Sequence, residues 1–174
     1  MRVFAAIAGA LLLAGCQTAG QSDATVSDWK IEQKQDEISG KVRTNISATT
    51  VKVDLTSHSG IHAAVLGLSC TKGAPSIMVY YDWPVGTTNN AAISYRFDDA
   101  PGVDVKNFRM MNLQAVVIDN KAEVSKFLSQ LPTARTLYFR VSSPVAGQSN
   151  ALFGVRGGSM ALDALNQECS TGPA

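Results

Sequence analysis

The chain has 174 residues, with 15 Lys and Arg against 14 Asp and Glu, a formal net charge of +1 and 45% hydrophobic residues. A balance this close to neutral argues against a nucleic-acid partner, which normally leaves a basic surplus, and provides no polybasic patch for anionic lipid. The length suits one domain with a sizeable core and is too short for two. At the amino terminus, Met1 and Arg2 precede residues 3–14, all apolar or Gly, and Gly15 leads into Cys16. A charged start, a short apolar run and a small-residue end are the anatomy of a secretory signal. The run falls short of the roughly 20 residues that cross a bilayer.

The four residues Leu13-Ala14-Gly15-Cys16 resemble the lipobox of bacterial lipoproteins. That resemblance implies acylation of the Cys16 sulfur, cleavage before it, and acylation of the new amino group. Residues 1–15 would then be a lipoprotein signal peptide, and the acyl chains on Cys16 a membrane anchor. Each buried methylene contributes about 0.8 kcal/mol, so several chains hold where one is weak. In the sorting rule of the family, Gln17 rather than Asp at the next position implies the outer membrane, facing the periplasm. An ordinary signal peptide cleaved nearby is the alternative. With Arg2 removed, the mature chain is formally neutral. Residues 17–27 are small and polar, with Asp23 the lone charge; they read, with Cys16, as a flexible tether of about 18 Å typical span. Three cysteines are an awkward number for an exported chain until one is assigned to lipid. Cys70 and Cys169 then remain, and an oxidising compartment makes a disulfide between them the expected state. A reactive or metal-binding thiol is the alternative, without a third ligand at suitable spacing near either residue.

Residues 28–174 read as a single β-rich domain. Trp29, Ile31 and Gln33 alternate with Lys30 and Glu32, the period of a half-buried strand. Residues 34–41 contain Asp36 and Ser39-Gly40 and read as a turn; residues 42–50 follow as a second strand, giving a hairpin. Residues 62–70 are more continuously apolar and predict a central strand, with a turn over 71–75 and a partner strand over 76–83. Residues 91–98 alternate Ile93, Tyr95 and Phe97 before the breaker at 98–102. Residues 120–131 place Val124, Phe127, Leu128 and Leu131 at helical spacing, with Asn120 as cap and Pro132 as stop. Strands are expected over 135–142 and 151–155, and a short C-terminal helix behind Ser159. The fold class expected is mainly β: an antiparallel, β-sandwich-like (α+β) domain with two short helices, one of them C-terminal.

Asp28-Trp29, Leu68-Ser69-Cys70, Val79-Tyr80, Tyr95-Arg96-Phe97-Asp98 and then Phe153, Gly158, Ala161, Leu165 and Cys169 follow one another in an order that resembles the VasI-like, type VI secretion-associated family of small exported proteins. The resemblance spans residues 28–169. It implies an exported β-rich domain with a cysteine pair at Cys70 and Cys169, and no agreed enzymatic activity.

Candidate chemistry is sparse. Gly157-Gly158-Ser159-Met160-Ala161 has the outline of a nucleophile elbow, but neither histidine lies beyond Ser159, and a serine before a helix is the ordinary cap. A triad in another order would draw on His58 or His62 and Asp163. His58 and His62 lie four apart, with Asp54 the nearest carboxylate, but Ser59-Gly60 makes the segment a turn rather than a helix face. Asp98 and Asp99 next to Pro101-Gly102 read as turn formers. Aromatic groups remain at Tyr80, Tyr81 and Trp83 and at Tyr138 and Phe139. Trp83, with Tyr81, stands at the mouth of the polar loop 84–90, where it would pack a hairpin or grip a protein, glycan or lipid. The expectation is a non-enzymatic envelope lipoprotein with no catalytic residues, metal or cofactor, acting as an accessory or binding subunit with an envelope protein partner. A serine-dependent envelope hydrolase and a lipid- or glycan-binding lipoprotein are the alternatives.

Overall fold

The computed structural model describes residues 27–38, 40, 42–57 and 59–171. Cys16, tether residues 17–26 and His58 lie outside the described residues. The first two strands, β1 (Lys30–Gln35) and β2 (Val42–Leu55), pair antiparallel from Lys30 opposite Ser47 to Gln35 opposite Val42. Their turn is closed by the Gly40 N–H donating to the Asp36 carbonyl at 2.8 Å, with Gly40 at φ +67. Next come β3 (His62–Thr71) and β4 (Ala74–Tyr81), joined by Lys72 and Gly73 alone. Both turn residues have positive φ, 53° and 74°, as a two-residue hairpin turn that matches strand twist requires.

The remaining strands are β5 (Ala92–Phe97), β6 (Val103–Val105), β7 (Arg109–Met111), β8 (Ala115–Ile118), β9 (Thr136–Ser143) and β10 (Gly147–Gly154). The helices are α1 (Lys121–Leu128) and α2 (Gly158–Thr171). All strands join one antiparallel sheet in the order β6-β5-β9-β10-β2-β3-β4-β8-β7, with β1 attached to β2 off this path. The mainly antiparallel fold with two helices, one C-terminal, is as the alternation and the capping signals indicated.

The sandwich-like core comes from this one sheet curling on itself. Three strands separate β4 from β9 in the sheet order, yet the Tyr81 hydroxyl on β4 donates to the Phe139 carbonyl on β9 at 3.5 Å. Beyond the end of β4, the Ser143 hydroxyl donates to the Val85 carbonyl at 2.6 Å. Inside lie Ile46, Leu66, Leu68, Ile77, Val79, Leu137, Val141 and Phe153, all buried. An aromatic cluster locks α1 to β5: Phe127 meets Tyr95 and Phe97 edge-on, with centroids 5.0 and 4.9 Å away.

Local chemistry accounts for the helix ends. The Asn120 side chain accepts from the N–H groups of Ala122 and Glu123 at 3.0 and 3.3 Å, so it caps α1 as its position indicated. The helix ends at Leu128, earlier than Pro132, which instead sits in a 3-10 turn over Leu131–Thr133. A side chain at Gly158 would run into the Leu131 carbonyl, so this glycine lets the start of α2 approach that turn. Ser159 is the second residue of α2 and not its cap.

Three strands lie where the sequence reading assigned none: β6, β7 and β8 are three or four residues each, too short to show alternation. The turn after β3 is shorter than expected, because β4 begins at Ala74. β2 is longer than expected, running on to Leu55 through an irregularity between Thr50 and Val53. There the Thr50 hydroxyl accepts from the Lys52 N–H at 3.0 Å, a local bend within the bulge.

The disulfide joins Cys70 at the end of β3 to Cys169 in the last turn of α2, with Cα atoms 5.2 Å apart and a sequence separation of 99. In the chain-entropy account, closing a loop of this length stabilises by about 4 to 5 kcal/mol. Replacing both cysteines by alanine is expected to lower stability by that order in a denaturant titration, with α2 losing hydrogen-exchange protection before β9 and β10.

Candidate binding surfaces

Two staples fix the ends of the domain against each other. At the first, the backbone N–H of Asp28 donates to the Arg156 carbonyl at 3.0 Å, and the Arg156 N–H returns a bond to the Asp28 carboxylate at 2.8 Å. The Arg156 guanidinium grips the same carboxylate through Nε at 3.0 Å and Nη2 at 2.8 Å. Gly154 lies directly beneath that carboxylate, where a Cβ would collide with it. The Trp29 indole N–H donates to the Val155 carbonyl at 3.1 Å, and its ring is buried. The hydrogen bonds from the Arg156 side chain hold the Asp28 carboxyl below the usual carboxylate range, outweighing the opposing effect of burial.

At the second staple the Cys70–Cys169 disulfide fixes the end of α2, and the neighbouring Glu168 carboxylate accepts the N–H of Thr44 in β2 at 3.0 Å. Beyond Thr44 the β1–β2 hairpin leaves the body. The residues of β1 are exposed, with Ile31 at its base the neighbour of buried Ile46, and Val42, Arg43 and Asn45 of β2 are exposed as well, so toward its tip the hairpin is open on both faces. Ile31, Val42 and Ile38 are 37%, 56% and 99% exposed. An open depression of about 630 Å³ runs along this arm past Lys34, Ile38 and Arg43. An isolated two-stranded hairpin is marginal in water, and here it is supported only at its base. Ile31, directly opposite the buried Ile46, is 37% exposed, in keeping with the half-buried face that the alternation indicates.

The aromatic loop divides into two environments. Tyr81 was grouped with Trp83 as a candidate binding residue, and this is corrected: Tyr81 is fully buried, its ring fills the curl of the sheet, and burial pushes its phenol up. Trp83 lies past the end of β4 and is 36% exposed, edge-on to His62 with ring centroids 6.1 Å apart. His62 Nδ1 lies 3.4 Å from an Asp82 oxygen, and the other Asp82 oxygen accepts the Ala63 N–H at 2.9 Å. Asp82 thus closes the β3–β4 end, and His62 supports the tryptophan.

The other polar candidates stand apart. Ser159 is exposed, and among the described residues it has no hydrogen bond to a histidine. Asp98, at φ +44, accepts from the N–H groups of Arg135 and Thr136 and from the Thr136 hydroxyl, at 2.8 to 3.2 Å. Burial pushes its carboxyl up, but those donors outweigh it and hold the group below its ordinary value. It is a strand-end clamp, in keeping with its reading as a turn former. Among the described residues no three His, Cys, Asp or Glu side chains gather as a metal site would need. No described helix is long and apolar enough to cross a membrane.

One surface that the sequence reading missed is the outer face of β5, β9 and β10. Arg96 lies over the Tyr138 ring at 4.7 Å, and Arg140 Nε donates to Asn150 Oδ1 at 2.7 Å. The cross-strand register places Arg96 opposite Tyr138 and Asn150 opposite Arg140. Period-two alternation marks these residues as outward, but which strands lie side by side is a matter of topology.

The fold and these surfaces define a disulfide-closed, antiparallel β domain with a projecting hairpin arm. No family model and no curated protein matches the chain. Among solved structures, the chain is similar to the crystal structure of invasion associated protein B from Bartonella henselae. The two are 12% identical, with 80% of this chain and 92% of that chain covered and a TM-score of 0.49.

The Asp28 latch generates a pH prediction. Its folded carboxyl titrates below its unfolded value, so its contribution is present above the unfolded value and is lost as pH falls through the folded one. Asp28→Asn is therefore expected to lower the Tm near neutral pH by several degrees, and the gap to the parent chain should shrink as the pH falls below about 4. A gap that stays constant between pH 7 and pH 3 would contradict the latch.

Proposed function

We propose that this protein is a lipid-anchored lipoprotein of the bacterial envelope, held through acyl chains on Cys16 and facing the periplasm from the outer membrane. Its domain is a non-enzymatic accessory or binding subunit of an envelope assembly. The observation that carries the binding-subunit reading is the β1–β2 arm: a hairpin stapled at its base and open on both faces toward its tip, with Val42 and Ile38 turned to solvent. Apolar side chains on an unsupported hairpin suit a surface that another molecule covers. The order of short motifs resembling the VasI-like family supports an exported role and motivates looking for a secretion-related partner. The exposed Ser159 has no histidine hydrogen-bonded to it among the described residues, which weighs against the hydrolase reading.

Photo-crosslinking residues placed at Ile38 and Val42 in intact cells are expected to capture a defined envelope protein, while one at exposed Lys106 does not. Palmitate labelling should be lost in Cys16→Ser, and a serine-directed fluorophosphonate should leave Ser159 unlabelled. Fluorophosphonate labelling that Ser159→Ala abolishes, with no capture from the arm, would reverse the assignment in favour of a hydrolase.

A further inference from the structure

Among the described residues, β1 pairs with β2 alone, so its outer edge offers a row of backbone donors and acceptors that a further strand can use. Along one face of that strand the charges alternate in sign: Lys30, Glu32 and Lys34, with Asp36 next in the same series. Charged edges commonly deter pairing, but an alternating series is complementary to itself in selected antiparallel registers.

Those registers can be enumerated. Residues whose N–H and C=O groups point to the outer edge alternate along β1, so only residues of equal parity can lie opposite one another. In a two-fold pair of β1 strands, the register is named by the residue that faces its own copy. If Glu32 faces itself, Lys30 also meets Lys34, and like charges oppose throughout. If Lys34 faces itself, Glu32 meets Asp36, again like against like. If Ile31 faces itself, the pairing needs Asp28 and Trp29 in the strand, but Asp28 is held by Arg156 and Trp29 is buried against Val155. With Gln33 facing itself, Lys30 meets Asp36 and Glu32 meets Lys34, twice each across the axis, and Arg43 stands beside Lys34 on β2. Within β1 this register sets Glu32 against Lys34 on both sides of the axis, and Lys30, which also pairs with Glu32 of its own strand at 2.8 Å, lies opposite Asp36 just past the strand's end.

We infer that the arm docks a second copy of this chain, edge to edge through β1, in the register centred on Gln33. The inference rests on the arm being the binding surface proposed above and names what covers it. Opposite charges across strands favour this alignment; like charges oppose the registers centred on Glu32 and Lys34, the anchored Asp28 and Trp29 exclude the one centred on Ile31, and one centred on Gln35 would draw Glu37 and Ile38, past the end of β1, into the pair.

The test uses the full-length chain in its native membrane. Gln33→Cys places a thiol opposite its own copy at the two-fold axis, and a short bismaleimide is expected to yield a covalent homodimer. In that background Glu32→Lys alone or Lys34→Glu alone is expected to reduce the dimer by about tenfold, because two attractive facings become repulsive. Co-expressing the two reversed chains with different tags should restore a mixed dimer, since each reversed charge then meets its opposite. That recovery also shows that both variants fold. Absence of the homodimer, or a homodimer insensitive to both reversals, overturns the inference. A crosslink from position 33 to a different protein also overturns it, while leaving the accessory-subunit reading in place; no adduct from any arm position removes both.

Discussion

The architecture depends on β2 serving three neighbours. Its fourteen residues pair with β3 along one edge, while the other edge is divided: Val42–Ser47 face β1, and Val53–Leu55 face β10. The irregularity between Thr50 and Val53 separates the two halves. On both sides of it β2 pairs with β3 inside the curled sheet, where Tyr81 reaches across to the Phe139 carbonyl; only residues 42–45, before the buried Ile46, leave the body as one leg of an arm. A regular strand would have left β1 and β10 competing for one continuous edge.

A hairpin held out in this way needs support at its base, and both ends of the domain provide it. The Asp28 carboxylate in the Arg156 fork and the Trp29 indole on the Val155 carbonyl pin the chain just before β1 begins. The disulfide and Glu168 bring the end of α2 to Thr44. The polar bonds therefore concentrate where the arm meets the body, and the arm itself carries few. Buried apolar area cannot stabilise a segment that buries so little, so the staples take over that role.

Much of the body was legible in the sequence because single physical signals sufficed there. The continuous apolar run over residues 62–70 marked a central strand, residues 71–75 the turn that contains the tight Lys72-Gly73 connection, and Asn120 a helix cap. What escaped was non-local. Tyr80 and Tyr81 are neighbours of opposite facing, and only the curl of the sheet decides that Tyr81 is inside. The strands β6 to β8 are stabilised by their partners, so their residues carry no independent signal. Ile31 lies opposite buried Ile46 and is 37% exposed, whereas Val42, nearer the tip, is 56% exposed, because the hairpin runs on past the part of the body that covers that face. Periodicity reports which residues share a face, whereas coverage of that face depends on where the strand ends relative to the body.

The central claim is that β2 carries a projecting arm whose outer edge is available for pairing. Backbone hydrogen exchange of the full chain, followed as a function of protein concentration, tests it most directly. The account predicts that amides of Lys30–Gln35 exchange orders of magnitude faster than those of β9 in dilute solution, and slow as concentration rises while β9 does not change. Amides in β1 as protected as those of β9 at the lowest concentration would contradict it, because the arm would then be packed within the body.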